Sequence, residues 1–251
     1  MNRLVLSKLL ALAVGIACVF FAFKYNKSAL YETSGSIYGT YWKLVSTEYI
    51  PDPLIQSIKQ ELNRIDFVAS NYKPSSELSI INASPINTEI GISSDMYTIL
   101  KFAEDLHQLS NGYYDVTIGS LIIKEGFGPE SSMTDNAILV SKKRFNFLNN
   151  NSITKNDNFQ FDLSSIAKGY AVDSISNLLI RANRNNYLID IGGEIIVNGS
   201  KHGEPWTIGI QSPLAVNNQA GTQIRSNKFL AIATSGEYRN FKLNKSGVLT
   251  S

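Results

Sequence analysis

The chain has 251 residues, 43% of them hydrophobic and 18% charged, a composition that suits a folded core and argues against disorder. Lysine and arginine number 23 against 21 acidic residues, with no basic run, so nucleic acid is not an expected partner. One cysteine and two histidines leave little material for a disulfide, a thiolate metal cluster, a zinc site or a Ser/His/Asp triad.

Residues 1–27 read as a signal peptide or membrane anchor. Arg3 and Lys8 precede an uncharged run from Leu9 to Phe23, and Lys24 and Lys27 close it. Fifteen apolar residues suffice for a signal core, and spanning becomes feasible if Lys8 snorkels. Gly15-Ile16-Ala17-Cys18 is similar to a lipoprotein box, although Gly15 and the apolar residues after Cys18 depart from it. Lipidation of Cys18 and an uncleaved anchor both remain open, and either one faces the domain outward. Residues 28–36 are small and polar and read as a tether, with the folded domain over 37–251.

The aromatic and branched run over 38–45 predicts a strand. Residues 53–67 follow with Leu54, Ile55, Ile58, Leu62 and Ile65 at helical spacing, and 94–110 repeats the pattern until Asn111-Gly112 stops it. The polar segment 129–160 predicts loops and short strands, including a weak one at 137–140. The clearest helix spans 162–182, with Ile166, Ala171, Ile175, Leu178 and Leu179 as its inward stripe. Two strands over 187–197 are broken by Gly192-Gly193, a tight-hairpin dipeptide, and further strands are expected at 206–211 and 229–233. Without a regular βαβ rhythm, the fold class is α+β, with mixed or antiparallel sheets packed with helices.

The chemistry centres on Asp162-Leu163-Ser164-Ser165-Ile166-Ala167-Lys168-Gly169. Asp and Ser at a helix mouth cap free amides, and the same helix end favours a phosphate. Lys168 can approach a pyrophosphate, and Gly169 lets a ligand come close. A well-capped core helix with one exposed lysine accounts for the same residues.

This string resembles the signature of the FAD:protein FMN transferase (ApbE) family. Further motifs fall in that family's order: Tyr38-Gly39-Thr40-Tyr41, Ser75-Ser76-Glu77-Leu78-Ser79, Tyr114-Asp115-Val116-Thr117-Ile118-Gly119-Ser120-Leu121, and Asp190-Ile191-Gly192-Gly193-Glu194. Trp206-Thr207-Ile208-Gly209-Ile210-Gln211-Ser212-Pro213 and Ala233-Thr234-Ser235-Gly236-Glu237-Tyr238 complete a series over about 37–241.

The resemblance implies FAD as substrate, Mg²⁺ at its pyrophosphate, and attack by a threonine hydroxyl of a target flavoprotein with release of AMP. It implies FAD contacts at Tyr38, Tyr72, Tyr113, Tyr114, Asp115, Asp162 and Lys168, and a Mg²⁺ contact through the backbone oxygen of Ser165. Exposed amides at the mouth of the 162–182 helix are expected to hold the linking phosphates. Partners implied are threonine-bearing subunits of membrane redox complexes, served from the periplasmic face of a bacterial inner membrane.

No catalytic residue is assigned. The family's His-Ile-Ile-Asp-Pro-like segment, which carries a candidate base, and a later Asp/Thr metal group are expected beyond Ser251. Residues 1–251 alone are therefore expected to bind Mg²⁺ and FAD poorly and to be inactive. Two other functions are carried: hydrolysis of FAD to FMN and AMP, and a non-catalytic flavin-binding or remnant protein.

Overall fold

A computed structural model describes residues 3–27, 29–129, 144–211, 220–235, 242–243 and 249–250. The main sheet has five strands in the order β1 (Tyr31–Ile37), β2 (Thr40–Ser46), β6 (Tyr187–Ile191), β7 (Glu194–Asn198) and β10 (Leu230–Ala233), each antiparallel to its neighbour. Alternation along β2 and β6 puts Trp42 and Leu44 on the same face as Tyr187, Ile189 and Ile191, with Leu44 opposite Ile189. Helices α2 (Asp52–Ala69) and α6 (Ser164–Arg181) cover that face. Ile58, Leu62 and Ile65 of α2 and Val172, Ile175 and Leu179 of α6 form one core with the strands. Burying each such side chain stabilises by about 1.5–3 kcal/mol, so α6 is held firmly along the sheet.

The opposite face packs Val45, Leu188, Ile195, Leu230 and Ile232 around Trp206 and Ile208. Those two belong to β8 (Trp206–Gln211), which pairs antiparallel with β9 (Ala220–Ser226). A small pair, β11 (Lys242–Leu243) and β12 (Leu249–Thr250), follows.

A second core lies under a three-stranded sheet of β3 (Ile90–Gly91), β5 (Ser152–Lys155) and β4 (Phe145–Asn149), in that order. Leu78 and Ile81 of α3 (Glu77–Ala83) and Met96, Ile99 and Leu100 of α4 (Ser94–Leu109) meet Ile153, Phe159, Phe161 and Ile166 there. Tyr170 packs against both cores, which makes α6 the shared spine. A short helix, α5 (Gly119–Lys124), runs beside the segment that enters α6.

The Ser75–Ser79 motif acts as a splice between three helices. Ser76 caps α3 by accepting from Ser79 N at 3.1 Å and donates to Ser70 O at 2.5 Å, just past α2. The Glu77 carboxylate accepts from both the backbone and the hydroxyl of Ser93, at 2.6 Å each, and Ser93 caps α4. Inside the second core, Lys155 is fully buried. Its ammonium donates to Asn82 O at 2.8 Å, it has no carboxylate partner among the described residues, and burial pushes its pKa down to about 8.

The architecture is α+β with antiparallel sheets, as expected, and the helices over 53–67, 94–110 and 162–182 form within a few residues of those limits. Three readings are corrected. Residues 31–37 are a sheet strand rather than tether: β1 lies at the sheet edge with mostly exposed side chains, so its polar composition carries no alternation signal. Tyr38-Gly39 is the turn joining β1 to β2, with φ of 52° and 71°, and the strand starts only at Thr40. The N-cap position of α6 is Leu163, with no side-chain cap, and Asp162 serves the Ser164 amide from one residue outside it, while neither serine occupies the N-cap. β3, β9, α3, α5 and the β11–β12 pair have no counterpart among the elements expected from sequence, and the strand expected at 137–140 lies outside the described residues. At the N-terminus α1 (Arg3–Lys27) exposes Leu9, Phe20 and Cys18, and no helix among the described residues is long and apolar enough to cross a membrane.

Candidate functional site

The segment leading into α6 is pinned from two sides. Asn82 accepts from Phe161 N at 2.7 Å and donates to Phe161 O at 3.0 Å. From the other side Asp162 N donates to Val116 O at 2.8 Å and Gly119 N to Gln160 O at 2.9 Å. That approach requires glycine at 119, where a Cβ would stand 2.7 Å from Gln160 O and 2.9 Å from Phe161 O. The run from Tyr114 to Leu121 is thus a brace under the helix mouth.

Asp162 is buried and already occupied. Its Oδ1 accepts from the backbone and hydroxyl of Ser164, and its Oδ2 accepts from Asn71 Nδ2 at 2.5 Å. The Ile166 and Ala167 amides both donate to Leu163 O. The expected row of exposed amides is therefore largely closed by the chain itself, because Asp162 and Leu163 serve as local acceptors.

Beside this mouth lies a cavity of about 500 Å³, within the range of small-molecule sites. Its apolar wall is Ile65, Ala69 and Ala167, its polar wall includes Asp66, Lys73 and Lys168, and Tyr38 and Tyr72 supply two aromatic rings. Tyr38 sits in the left-handed turn, a costly conformation for an aromatic residue, and its hydroxyl donates to Leu62 O at 2.9 Å. Burial first, then Asp66 and Glu61, push the Tyr38 phenol above its ordinary range, so it stays a neutral donor. Tyr72 is 71% exposed and offers an open ring face at the rim.

Lys168, one turn into α6, points at the β6–β7 hairpin. Its ammonium pairs with Glu194 Oε2 at 2.8 Å and lies 3.5 Å from Gly192 O. Gly192 and Gly193 have φ of 57° and 100°, and a Cβ on Gly192 would stand 2.6 Å from Thr40 Cγ2. The Gly192 turn therefore packs on Thr40, the residue that follows the Tyr38-Gly39 turn at the cavity wall. Asp66 and Lys73 form a further ion pair on its wall. A second cavity, about 630 Å³, adjoins at Asn71 and includes Asp162. The Asn71 Oδ1 between them is buried and meets no donor among the described residues, an open acceptor for a ligand N–H or O–H.

Of the residues named from sequence, Tyr38, Tyr72 and Lys168 share the first cavity and Asp162 borders the second. Tyr114 and Ser165 meet each other, hydroxyl to hydroxyl at 3.0 Å, next to the α6 mouth, and burial raises the Tyr114 phenol. Tyr113 is 95% exposed and lines neither cavity. Asp115 is engaged elsewhere: Oδ1 accepts from Thr117 N and Oγ1 at 2.8 Å each and pairs with Arg144 at 2.5 Å. Burial works to raise its pKa, but those hydrogen bonds and the guanidinium hold the carboxyl below its usual range. Neither histidine lines either of these two cavities, and His107 Nδ1 is 2.7 Å from Tyr114 O.

Among the described residues no three His, Cys, Asp or Glu gather as a metal shell. Magnesium takes six oxygens, typically with one or two protein carboxylates and substrate phosphates. At the α6 mouth the single carboxylate is Asp162, already accepting from Ser164 and Asn71. These residues do not fit a magnesium site by themselves.

Among known proteins, the ApbE family matches residues 38–250. The chain belongs to the ApbE family. It is 32% identical over 225 residues to an FAD:protein FMN transferase of Vibrio cholerae serotype O1, covering 83% of this chain and 66% of that one. It is 33% identical over 199 residues to one from Haemophilus influenzae, covering 73% and 58%. The chain thus spans less than two thirds of the length of these curated relatives. Among solved structures, the flavin transferase ApbE from Vibrio cholerae superposes with a TM-score of 0.69 at 29% identity, covering 84% of this chain and 72% of that one. The ApbE protein of Thermotoga maritima gives 0.73 at 24% identity over 88% and 74%, a likeness of fold.

Within this ApbE chain, sequence reasoning missed Asn71, Asp66, Lys73 and Glu194. Glu194 was visible as a charge directly after the Gly192-Gly193 hairpin, but its partner on α6 is 26 residues away in sequence and only the fold joins them. Arg144, the partner of Asp115, carried no local signal.

Proposed function

We propose that this protein binds FAD and transfers its FMN moiety to a threonine hydroxyl of a target flavoprotein, releasing AMP. The observation that carries this reading is the cavity in which Tyr38, Tyr72 and Lys168 face one space. An aromatic ring system stacks on the exposed face of Tyr72, the apolar wall of Ile65, Ala69 and Ala167 takes its edge, and Asn71 Oδ1 accepts from the ligand. Lys168 approaches the linking phosphates as a point charge. In the transfer, the threonine oxygen forms a bond to the FMN phosphorus while the bond from that phosphorus to the bridging oxygen breaks. The hydroxyl proton leaves to solvent or a base, and AMP departs as the phosphate monoester. Lys168 offsets charge that grows on the phosphoryl oxygens, and most of the remaining catalysis is positioning.

The backbone oxygen of Ser165 remains the proposed Mg²⁺ contact. The proposed partners are threonine-bearing subunits of membrane redox complexes. We place the enzyme on the periplasmic face of the inner membrane, directed there by residues 1–27, whose charged start and apolar run suit export. The test is incubation of the complete gene product with FAD, Mg²⁺ and a candidate acceptor, followed by denaturing electrophoresis and flavin fluorescence. A fluorescent band on the acceptor, lost when its threonine is changed to valine, is the expected result. FMN and AMP appearing with no labelled acceptor would replace transfer with hydrolysis, and an unchanged FAD pool would remove the catalytic reading.

A further inference from the structure

We propose that Glu194 is a built-in competitor for Lys168, an anion mimic that holds the lysine until a ligand phosphate displaces it. The proposal rests on the reading that Lys168 meets phosphate, and it names the residue that sets how tightly. Glu194 Oε2 lies 2.8 Å from Lys168 Nζ, in a pair whose side chains are only 31% and 21% exposed for lysine and glutamate. That same oxygen is buried, and no hydrogen-bond donor among the described residues is aligned to serve it. The ammonium is therefore what balances its charge.

Consider what a phosphate must do to engage Lys168. If the ammonium turns away from Glu194, a buried carboxylate oxygen is left uncompensated, which is strongly unfavourable. If it stays, the carboxylate and the incoming phosphate are two like charges around one cation. Either way Glu194 weakens phosphate binding while leaving the aromatic and apolar contacts of the ligand untouched. The hairpin makes this a fixed device: Gly192 is locked against Thr40, Gly193 N donates to Asp190 Oδ1 at 2.9 Å, and Glu194 pairs with Ile191 across the strand register. The carboxylate thus sits on rigid backbone, while the lysine, on a flexible four-carbon stem, is the partner that moves. A transferase benefits from such tuning because it must release a nucleoside monophosphate after each turnover, and a lysine with a waiting counter-ion lets go of it.

The experiment is calorimetric titration of adenosine and of ADP, each to millimolar concentration, into the full chain, its Glu194→Gln and Lys168→Met variants, and the double variant. Glu194→Gln keeps the shape and removes the charge. It should tighten ADP about tenfold at low salt, with the gain shrinking as salt rises, and leave adenosine unchanged. The double variant should lose the whole gain. Glu194→Gln binding ADP no better than the parent, or not at all, would overturn the competitor role, as would an equal gain for adenosine. The underlying reading fails separately: if Lys168→Met binds ADP as well as the parent does, Lys168 does not meet phosphate. A thermal melt of each variant identifies any that fail to fold, and Glu194→Asp then serves as the second variant. It shortens the side chain, loosens the pair, and is expected to give a smaller gain in the same direction.

Discussion

Replacing Lys155 with methionine should stabilise the protein at neutral pH, and by less as the pH rises. The lysine is fully buried, with one hydrogen bond to Asn82 O and a pKa of about 8 against an ordinary 10.5. The fall is 10.5 − 8 = 2.5 units, about 3 kcal/mol of cost for holding the charged form inside. Because the folded pKa is the lower one, the unfolded chain binds more protons between pH 8 and 10.5, and parental stability rises through that window. The full cost is present below pH 8. From about pH 7 to 9.5 the parent should gain roughly 2 kcal/mol relative to Lys155→Met. Losing the bond to Asn82 O offsets about 1 kcal/mol of the variant's advantage at every pH. Tyr38, Tyr114, Tyr170 and Tyr187 all have raised phenols, so their contribution is lost above about pH 10, but it cancels in the difference. Urea unfolding of both proteins at several pH values measures it. A difference that does not change with pH would show that Lys155 carries no buried-charge cost.

Gly119→Ala should destabilise by about 1–3 kcal/mol in the same assay, since its Cβ would meet the Gln160 and Phe161 backbone rather than a side chain that can yield; a neutral result would disprove the brace beneath α6. Arg144→Gln should cost stability at neutral pH and progressively less as the medium turns acid, because the depressed Asp115 pKa contributes above the unfolded carboxylate range and is lost as pH falls through the folded value. Acid titration of parent and variant, followed by circular dichroism, checks this, and parallel curves would refute it. Tyr72→Ala should leave stability within about 0.5 kcal/mol, as befits an exposed ring, yet weaken FAD by about 1–3 kcal/mol if the ring is a stacking platform. Unchanged FAD affinity would remove Tyr72 from the site.

What could be read without coordinates was what local periodicity carries. The stripes Leu54 to Ile65 and Ile166 to Leu179 predict buried helix faces, and Gly192-Gly193 predicts the hairpin that is seen. β1 was not legible because an edge strand with Thr33, Ser34, Gly35 and Ser36 has little to bury and looks like linker. Within the Asp162 string the carboxylate closes the helix mouth on itself, and the charge of that string that lines the cavity is Lys168, alongside Asp66 and Lys73 from elsewhere in the chain. Pairs such as Lys168 with Glu194, Asp66 with Lys73 and Asp115 with Arg144 depend on tertiary contact, and only the first joins two motifs that were already in view.

The central claim is that the cavity between the Tyr38-Gly39 turn and α6 holds the nucleotide. A crystal structure of the complete gene product with FAD and Mg²⁺ tests it most directly. Ligand density is expected in that cavity, with a ring against Tyr72 and a phosphate oxygen within hydrogen-bonding distance of Lys168 Nζ. FAD bound elsewhere, with Lys168 still paired to Glu194 and the cavity filled by solvent, would contradict it.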